Sequence, residues 1–316
     1  MEATNSETHS SLSALSQRMV DAVEQVSPAI VALDARPRVH TSGVIWREGV
    51  VVSTNHTIRR DEEITVTSHD GREMPATLAG RDAGTDLAVL RVDGDDAGAT
   101  NAPAQLANAP ALKVGNLVLA VGRAHPERGV SASFGIVSVM GEGWRTWRGG
   151  EIDRLIRPDV SVFIGFSGGA LVDVEGRIVG INTTGLARGA GLTIPASTVD
   201  RVVDQLLTQG RVARPYLGVG MHPVELPDKL REKTNSSQAT GLMMLSIEAN
   251  APADHAGIII GDILLALDDA HVADTDDVQA SLVGKEVGAV VKATILRGGE
   301  VKQVEITLGE RPPRKR

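Results

Sequence analysis

Gly165-Phe166-Ser167-Gly168-Gly169 sets one serine among glycines, directly before the apolar run Ala170-Leu171-Val172. Glycine lets backbone crowd a substrate oxygen, and a serine hydroxyl is a nucleophile once a base takes its proton. The chemistry is acyl transfer, provided a histidine and a carboxylate can serve Ser167; without them the stretch is only a glycine-rich turn. Of eight histidines, His56 directly follows the run Val50-Val51-Val52, and a strand end holds a base rigidly. The others lie in loop- or turn-like contexts or in the N-terminal tail. Asp86 opens the run Leu87-Ala88-Val89-Leu90, which draws its carboxylate inward, where it needs a partner. A histidine N–H fits. Taken singly, His56 reads as a structural histidine and Asp86 as a strand-opening residue that caps a turn.

Chain order separates two hydrolase architectures. His56, Asp86, Ser167 is the order of the chymotrypsin class. The α/β hydrolases run Ser-Asp-His and place a helix after the serine, whereas a β-like run follows Ser167.

The elements that must position these residues are short. From Ala29 to about Ile194, apolar runs bounded by turn residues suggest antiparallel barrels or a sandwich, with hairpin turns at His69-Asp70-Gly71-Arg72 and Val174-Glu175-Gly176-Arg177. Aromatic residues are only 2% of the chain, so the core must be Val, Leu, Ile and Ala. Asp93 to Pro110 reads as a surface loop. Val199, Val202, Val203, Leu206 and Leu207 make one face of a helix over 197–209, stopped by Gly210. A second unit follows, with strands near 242–247, 263–267 and 289–296 and short helices at 251–257 and 275–282. With 316 residues, the chain divides into an N-terminal segment (1–25, partly disordered, with a short amphipathic helix carrying Leu12, Leu15 and Met19), a first domain (26–210), a second (211–310) and a basic tail (311–316). The chain holds no cysteine, which excludes disulfides and thiolate metal sites. Its net charge of −8 argues against nucleic acid as a partner. No segment reaches the ~18 apolar residues of a membrane span. The start Met1-Glu2-Ala3-Thr4 lacks the features of a signal peptide. The expectation is cytoplasmic for a full-length chain and periplasmic for a processed mature form.

Ser53-Thr54-Asn55-His56, Thr85-Asp86-Leu87-Ala88-Val89-Leu90, Gly165 to Val172, Gly180-Ile181-Asn182-Thr183 and Leu192-Thr193-Ile194-Pro195 stand together in one order. In this the chain resembles the HtrA (DegP-like) serine proteases over about residues 26–312. The resemblance implies a mainly β fold, a chymotrypsin-like double six-stranded β-barrel followed by an α+β PDZ domain. It implies Ser167 as nucleophile, His56 as base and Asp86 as orienting carboxylate, with the Gly165 and Ser167 amides as the oxyanion hole. Ala187, Arg188, Gly189, Ala190, Gly191, Leu192 and Thr193 would line the specificity pocket, whose lack of an acidic residue predicts small or medium apolar side chains. Tyr216, Leu217, Gly218 and Val219 would bind a peptide C-terminus by strand addition. The implied activity is ATP-independent cleavage of unfolded or exposed polypeptides, with no cofactor or metal; no P-loop occurs in the chain.

Three positions depart from the family. Phe166 stands where Asn is usual, Thr54 lies two before His56 where Thr-Asn-x-His is frequent, and Ala170 replaces a common Pro. A bulky Phe166 beside the nucleophile supports a second reading, a weakly active or inactive scaffold or holdase that binds peptides through its PDZ domain. Relatives often form trimers through N-terminal aromatic residues, but none precedes Trp46. A homo-oligomer would then use Leu12, Leu15 and Met19, and a trimer stays open. Trp144 and Trp147 lie in the region that helps switch such sites on, which makes them candidates for regulation or an interface as well as for loop packing.

Overall fold

Runs of β-branched residues and leucine, cut by glycine and Asp-Gly turns, close here into two barrels. The computed structural model describes residues 2–92, 105–107, 112–187, 191–228, 230–231, 238–282 and 285–310, the side chains of 2–10 excepted. They fall into two units, Met1–Val212 and Ala213–Arg316. Most of the expected loop at Asp93–Pro110 and the basic tail lie outside the described residues.

In the first barrel β1 (Ile30–Asp34), β2 (Thr41–Arg47), β3 (Val50–Thr54), β4 (Ile64–Thr67), β5 (Glu73–Asp82) and β6 (Leu87–Val92) close in the order β1-β2-β3-β6-β5-β4. Val31, Leu33, Val51, Ile58, Val66 and Leu90 fill its interior, each burial contributing about 1.5–3 kcal/mol. The second unites β7 (Leu117–Gly122), β8 (Ser131–Gly141), β11 (Leu155–Asp159), β12 (Ala170–Asp173), β13 (Ile178–Thr183) and β14 (Leu192–Pro195) in the order β11-β14-β13-β12-β7-β8. Between β8 and β11, β9 (Trp144–Arg145) and β10 (Glu151–Ile152) form a separate hairpin. Both expected hairpin turns fall between paired strands, β4–β5 and β12–β13.

The barrels share one apolar cluster. Val44, Val52, Leu87 and Val89 of the first meet Leu119, Val121, Ala170 and Ile181 of the second, together with Val199, Val202, Val203 and Leu206 of α2 (Ala196–Gln209). Gly210, at φ 69°, ends α2 by donating its N–H to Leu206 O. Trp46 Nε1 donates to Asp200 Oδ1 at 2.8 Å, which fastens α2 to the first barrel. The N-terminal helix α1 runs from Glu2 to Val26, longer than the short helix expected. No glycine or proline interrupts residues 2–26, so each added residue extends the helix by one hydrogen bond once it is nucleated. Met19 packs on the shared cluster, whereas Leu12 and Leu15 are exposed. Among the described residues no helix is long and apolar enough to cross a membrane.

The second unit is a sheet of β16 (Val219–Glu225), β17 (Thr240–Ile247), β18 (Ile263–Leu267), β20 (Val290–Arg297) and β21 (Glu300–Thr307), with β19 (Ala270–His271) on β18 and a small β15 (Pro215–Tyr216)–β22 (Gly309–Glu310) pair. Short helices Pro252–His255 and Thr275–Ser281 complete it. An ion pair on a buried carboxylate ties the turn before β18 to β20. Arg297 Nε and NH2 donate to the two oxygens of Asp262 at 2.8 and 2.7 Å, and Ile259 N–H adds a third bond at 2.9 Å. Burial pushes the Asp262 carboxyl up, but Arg297 and the Ile259 N–H outweigh it and hold it below the ordinary carboxylate value. Asp262→Ala is expected to destabilise this unit by about 1–3 kcal/mol near pH 7, because the Ile259 N–H loses its acceptor while Arg297, itself partly exposed, keeps Gly257 O and solvent. A carboxyl depressed in the folded state contributes stability above the unfolded value, near 4, that is lost as pH falls through the lower folded value. The gap between wild type and variant should therefore close below about pH 4. Hydrogen exchange of residues 242–308 in the full chain measures it.

Candidate active site

His56 and Asp86 come from the first barrel, at the end of β3 and the start of β6. A turn follows β3 in which Thr57 N–H donates to Thr54 O and the two threonine hydroxyls share a 2.9 Å bond. Asp86 follows a loop knotted by Asp82, whose carboxylate accepts Gly84 N–H, Thr85 N–H and the Thr85 hydroxyl at 3.1, 3.0 and 2.7 Å. Thr146, in the β9–β10 hairpin, donates its hydroxyl to Gly84 O at 2.8 Å and so braces that loop from outside the first barrel. The same hairpin leaves Trp147 70% exposed, with Arg148 stacked 4.4 Å from its ring centroid, and packs Trp144 half-buried against the shared cluster.

Asp86 has φ 60°, a left-handed conformation that costs a non-glycine residue on the order of 1–3 kcal/mol. Its bonds hold it there. Asn55 N–H donates to Asp86 O at 2.9 Å. The carboxylate accepts His56 N–H at Oδ1 (2.9 Å), and pairs at Oδ2 with His56 Nδ1 (2.7 Å) and the Thr183 hydroxyl (2.5 Å). The Asp86 side chain is 2% exposed and that of His56 29%, so the carboxylate is sealed while the imidazole reaches solvent. Gly185 closes over the pair; a Cβ there would lie 2.5 Å from Asp86 Oδ2 and 2.7 Å from His56 Nδ1, so only glycine fits.

Ser167 lies in the second barrel, on the turn between β11 and β12. Thr183 and Thr184, consecutive at the end of β13, join the two halves of the site. Thr183 bonds Asp86, and the Thr184 hydroxyl shares a 3.2 Å hydrogen bond with Ser167 Oγ. Ser167 Oγ makes this bond rather than one to His56. Around Ser167, Phe166 N–H donates to Phe163 O, Gly168 N–H to Asn182 O and Gly169 N–H to Phe166 O. The two remaining amides, Gly165 N–H and Ser167 N–H, have no acceptor among the described residues. Gly165 has φ 91°, which glycine adopts freely. A pair of unspent N–H groups beside a hydroxyl can hold a developing oxyanion.

Phe166 is 2% exposed and sits inside the second barrel with Val118, Ala120, Val137, Ile156, Leu171 and Val179. It meets Phe163 edge-on at 5.3 Å. The bulk that the sequence puts beside Ser167 is core.

Of the expected pocket, Leu192 and Thr193 are buried on β14 and Ala187 is half-buried. Gly191 abuts Val162, whose Cγ2 would lie 2.7 Å from an added Cβ. Thr193 spends its hydroxyl on Asn182 Oδ1 at 2.9 Å. Arg188, Gly189 and Ala190 lie outside the described residues. Sequence reasoning did not assign Thr41, Ser42, Thr183, Thr184 or Gly185. The polar interruption Asn182-Thr183-Thr184-Gly185 after Ile178-Val179-Gly180-Ile181 was the available signal.

In the second unit Tyr216 pairs with Gly309. Leu217 is buried, and Gly218 (φ 80°) presses on Ala251 so closely that a Cβ would lie 2.1 Å from the Ala251 Cβ. The Leu217 and Gly218 carbonyls accept Ala253 N–H and Glu248 N–H at 2.9 Å each, while the amides of these two residues have no acceptor among the described residues. Val219 begins β16, which pairs with β17 on one side and is an edge of the sheet. An open edge beginning at two unspent amides can take an added strand and a carboxylate.

Residues 41–181 match the family described as trypsin-like peptidase domain, and residues 215–308 the PDZ domain family. A relative named "probable periplasmic serine endoprotease DegP-like", from Rhizobium meliloti (strain 1021), is 34% identical over 283 residues, which cover 88% of this chain and 54% of the relative. The chain thus spans about half the length of that relative. "Serine protease Do-like HtrA" of Lactobacillus helveticus is 30% identical over 283 residues, covering 84% of this chain and 68% of the relative. Among solved structures, "HtrA-type protease AlgW with decapeptide" matches with a TM-score of 0.73 and 27% identity, over 94% of this chain and 99% of that one. The serine endoprotease from Yersinia pestis matches with a TM-score of 0.74 and 28% identity, over 93% and 98%.

Proposed function

This chain belongs to the HtrA (DegP-like) family of serine proteases, and we propose from that premise that it is an ATP-independent serine endopeptidase acting on unfolded or exposed polypeptides. Ser167 attacks the scissile carbonyl. His56 takes the hydroxyl proton and returns it to the leaving amine, while Asp86 holds the imidazole tautomer and balances the imidazolium. The Gly165 and Ser167 amides bind the tetrahedral oxyanion, each donor worth roughly 3–4 kcal/mol. The step begins when substrate draws Ser167 Oγ from Thr184 to His56. The observation that carries this reading is the His56–Asp86 pair, its carboxylate sealed, joined through Thr183 and Thr184 to a serine whose own N–H and that of Gly165 are unspent. The segment 187–193 is assigned the primary specificity, for small or medium apolar side chains, on the family resemblance. The scaffold reading rested on Phe166, and its burial in the barrel interior removes that ground.

The second unit docks peptide C-termini at Leu217 and Gly218, with the peptide adding a strand along β16. Support comes from the PDZ match and from the structural relative described as an HtrA-type protease with decapeptide. The exposed Leu12 and Leu15 of α1 are the contact for a homo-oligomer. The relatives' names favour the periplasm as the place of action.

The experiment is fluorophosphonate labelling of the purified chain beside casein cleavage, with the label located by peptide mapping. Modification of Ser167 together with cleavage is expected; a folded protein that neither cleaves nor labels there overturns the reading.

A further inference from the structure

We propose that Thr41 and Ser42 are positioning residues for the oxyanion loop, which set from the first barrel the direction of the Gly165 and Ser167 N–H groups. This rests on the endopeptidase reading of Ser167. Both residues open β2 and both are fully buried. Ser42 donates twice to Gly165 O, from its N–H at 3.0 Å and from its hydroxyl at 2.6 Å. Arg123 N–H donates to the Ser42 hydroxyl at 2.8 Å, and since Gly165 O can only accept, the hydroxyl proton goes to it. Thr41 donates its hydroxyl to Ser167 O at 2.8 Å. The Ser53 hydroxyl, on β3, anchors Ser42 O at 2.7 Å. Gly168 allows this approach, since a Cβ there would lie 2.1 Å from Ser42 O.

A trans peptide unit points its C=O and N–H in opposite directions, so fixing one fixes the other. The unit joining 165 and 166 is held by Ser42 on Gly165 O and by Phe163 O on Phe166 N–H. The next unit is held by Gly169 N–H on Phe166 O, which turns Ser167 N–H the opposite way. The third is held by Thr41 on Ser167 O and by Asn182 O on Gly168 N–H. The unit joining 164 and 165 has no acceptor for its N–H among the described residues, and Ile164 is 81% exposed. That unit carries the Gly165 N–H, and its direction is set by the Gly165 φ of 91° relative to the unit that Ser42 clamps. Ser42 and Thr41 thus clamp the two peptide units on either side of the one that carries Ser167 N–H, and act on the Gly165 and Ser167 donors through the backbone angles at those two residues. Donors aimed at a developing charge act on the transition state, not on the bound substrate, so loosening them lowers kcat and spares KM.

The test uses the full chain with Thr41→Val, Ser42→Ala and Thr41→Ser, a fluorogenic apolar peptide, and the matching peptide aldehyde, whose tetrahedral adduct places an oxygen in the oxyanion position. Thr41→Val and Ser42→Ala are expected to lower kcat about 10- to 100-fold, with KM within about threefold and aldehyde affinity falling in step with kcat/KM. Thr41→Ser, which keeps the donor, should stay within about threefold of wild type. Loss expressed in KM alone, unchanged aldehyde affinity, or a Thr41→Ser loss as large as that of Thr41→Val overturns the proposal. If Ser42→Ala does not fold, the Thr41 pair decides it. A wild type that does not label at Ser167 overturns the endopeptidase reading itself; a labelled wild type with unchanged variants overturns only the positioning roles.

Discussion

Ser167→Ala is expected to reduce peptide-bond cleavage about 10⁶-fold in kcat, or about 8 kcal/mol of barrier, with KM for the same peptide little changed. The hydroxyl is the only atom removed, and it contributes no fold-defining contact, since its hydrogen bond is the 3.2 Å one to Thr184. The Gly165 and Ser167 amides stay in place, so the variant should still bind substrate and retain a residual rate of about 10³–10⁴ over water. Unfolding temperature should match wild type. Steady-state kinetics on a fluorogenic peptide, with loss of fluorophosphonate labelling, measures the effect. A variant that keeps more than about a hundredth of the activity places the nucleophile elsewhere.

Asp86→Asn is expected to cost about 10⁴-fold in kcat, roughly 5–6 kcal/mol of barrier, in a protein that still folds. The carboxylate receives donors on both oxygens: His56 N–H on one, His56 Nδ1 and the Thr183 hydroxyl on the other. An amide has one oxygen for both sides. With that oxygen towards His56 N–H, the NH2 faces Nδ1, which then must accept. The proton moves to Nε2, where His56 can no longer take one from Ser167. With the amide reversed, two donors face each other, and at 2% exposure water does not relieve them. Slow fluorophosphonate labelling that parallels slow turnover is the expected signature. A loss below about tenfold would remove Asp86 from the mechanism.

Much of this was legible in the residues. Periodicity placed α2 within one residue, because its apolar positions recur at helical spacing and Gly210 supplies the left-handed stop. The order of His56, Asp86 and Ser167 separated two hydrolase architectures because chain order follows topology. The hairpin turns at His69–Arg72 and Val174–Arg177 announced themselves through Asp-Gly and Glu-Gly pairs. Other features had no local signal. Thr41, Ser42, Thr183 and Thr184 are short hydroxyl residues in or beside strands, where threonine and serine are common, and their roles arise from partners 17 to 126 positions away.

Phe166 marks the boundary most clearly. Sequence by itself determined the residue types for acyl transfer, the β-rich first domain and a second, PDZ-type unit. It could not say whether the phenyl ring beside Ser167 turns towards solvent or into the barrel, since one side-chain rotation separates the two and no neighbour in sequence chooses. The interior of the second barrel chooses. Val118, Ile156, Leu171 and Val179 come from four different strands and surround the ring, and burying its area against them outweighs leaving it in water. With the ring drawn inward and Ser42 gripping Gly165 O from the other barrel, the Gly165 and Ser167 amides are left unspent. Only the closed barrels decide that, because the contacts responsible are long-range packing and cross-barrel hydrogen bonds that no stretch of the chain contains.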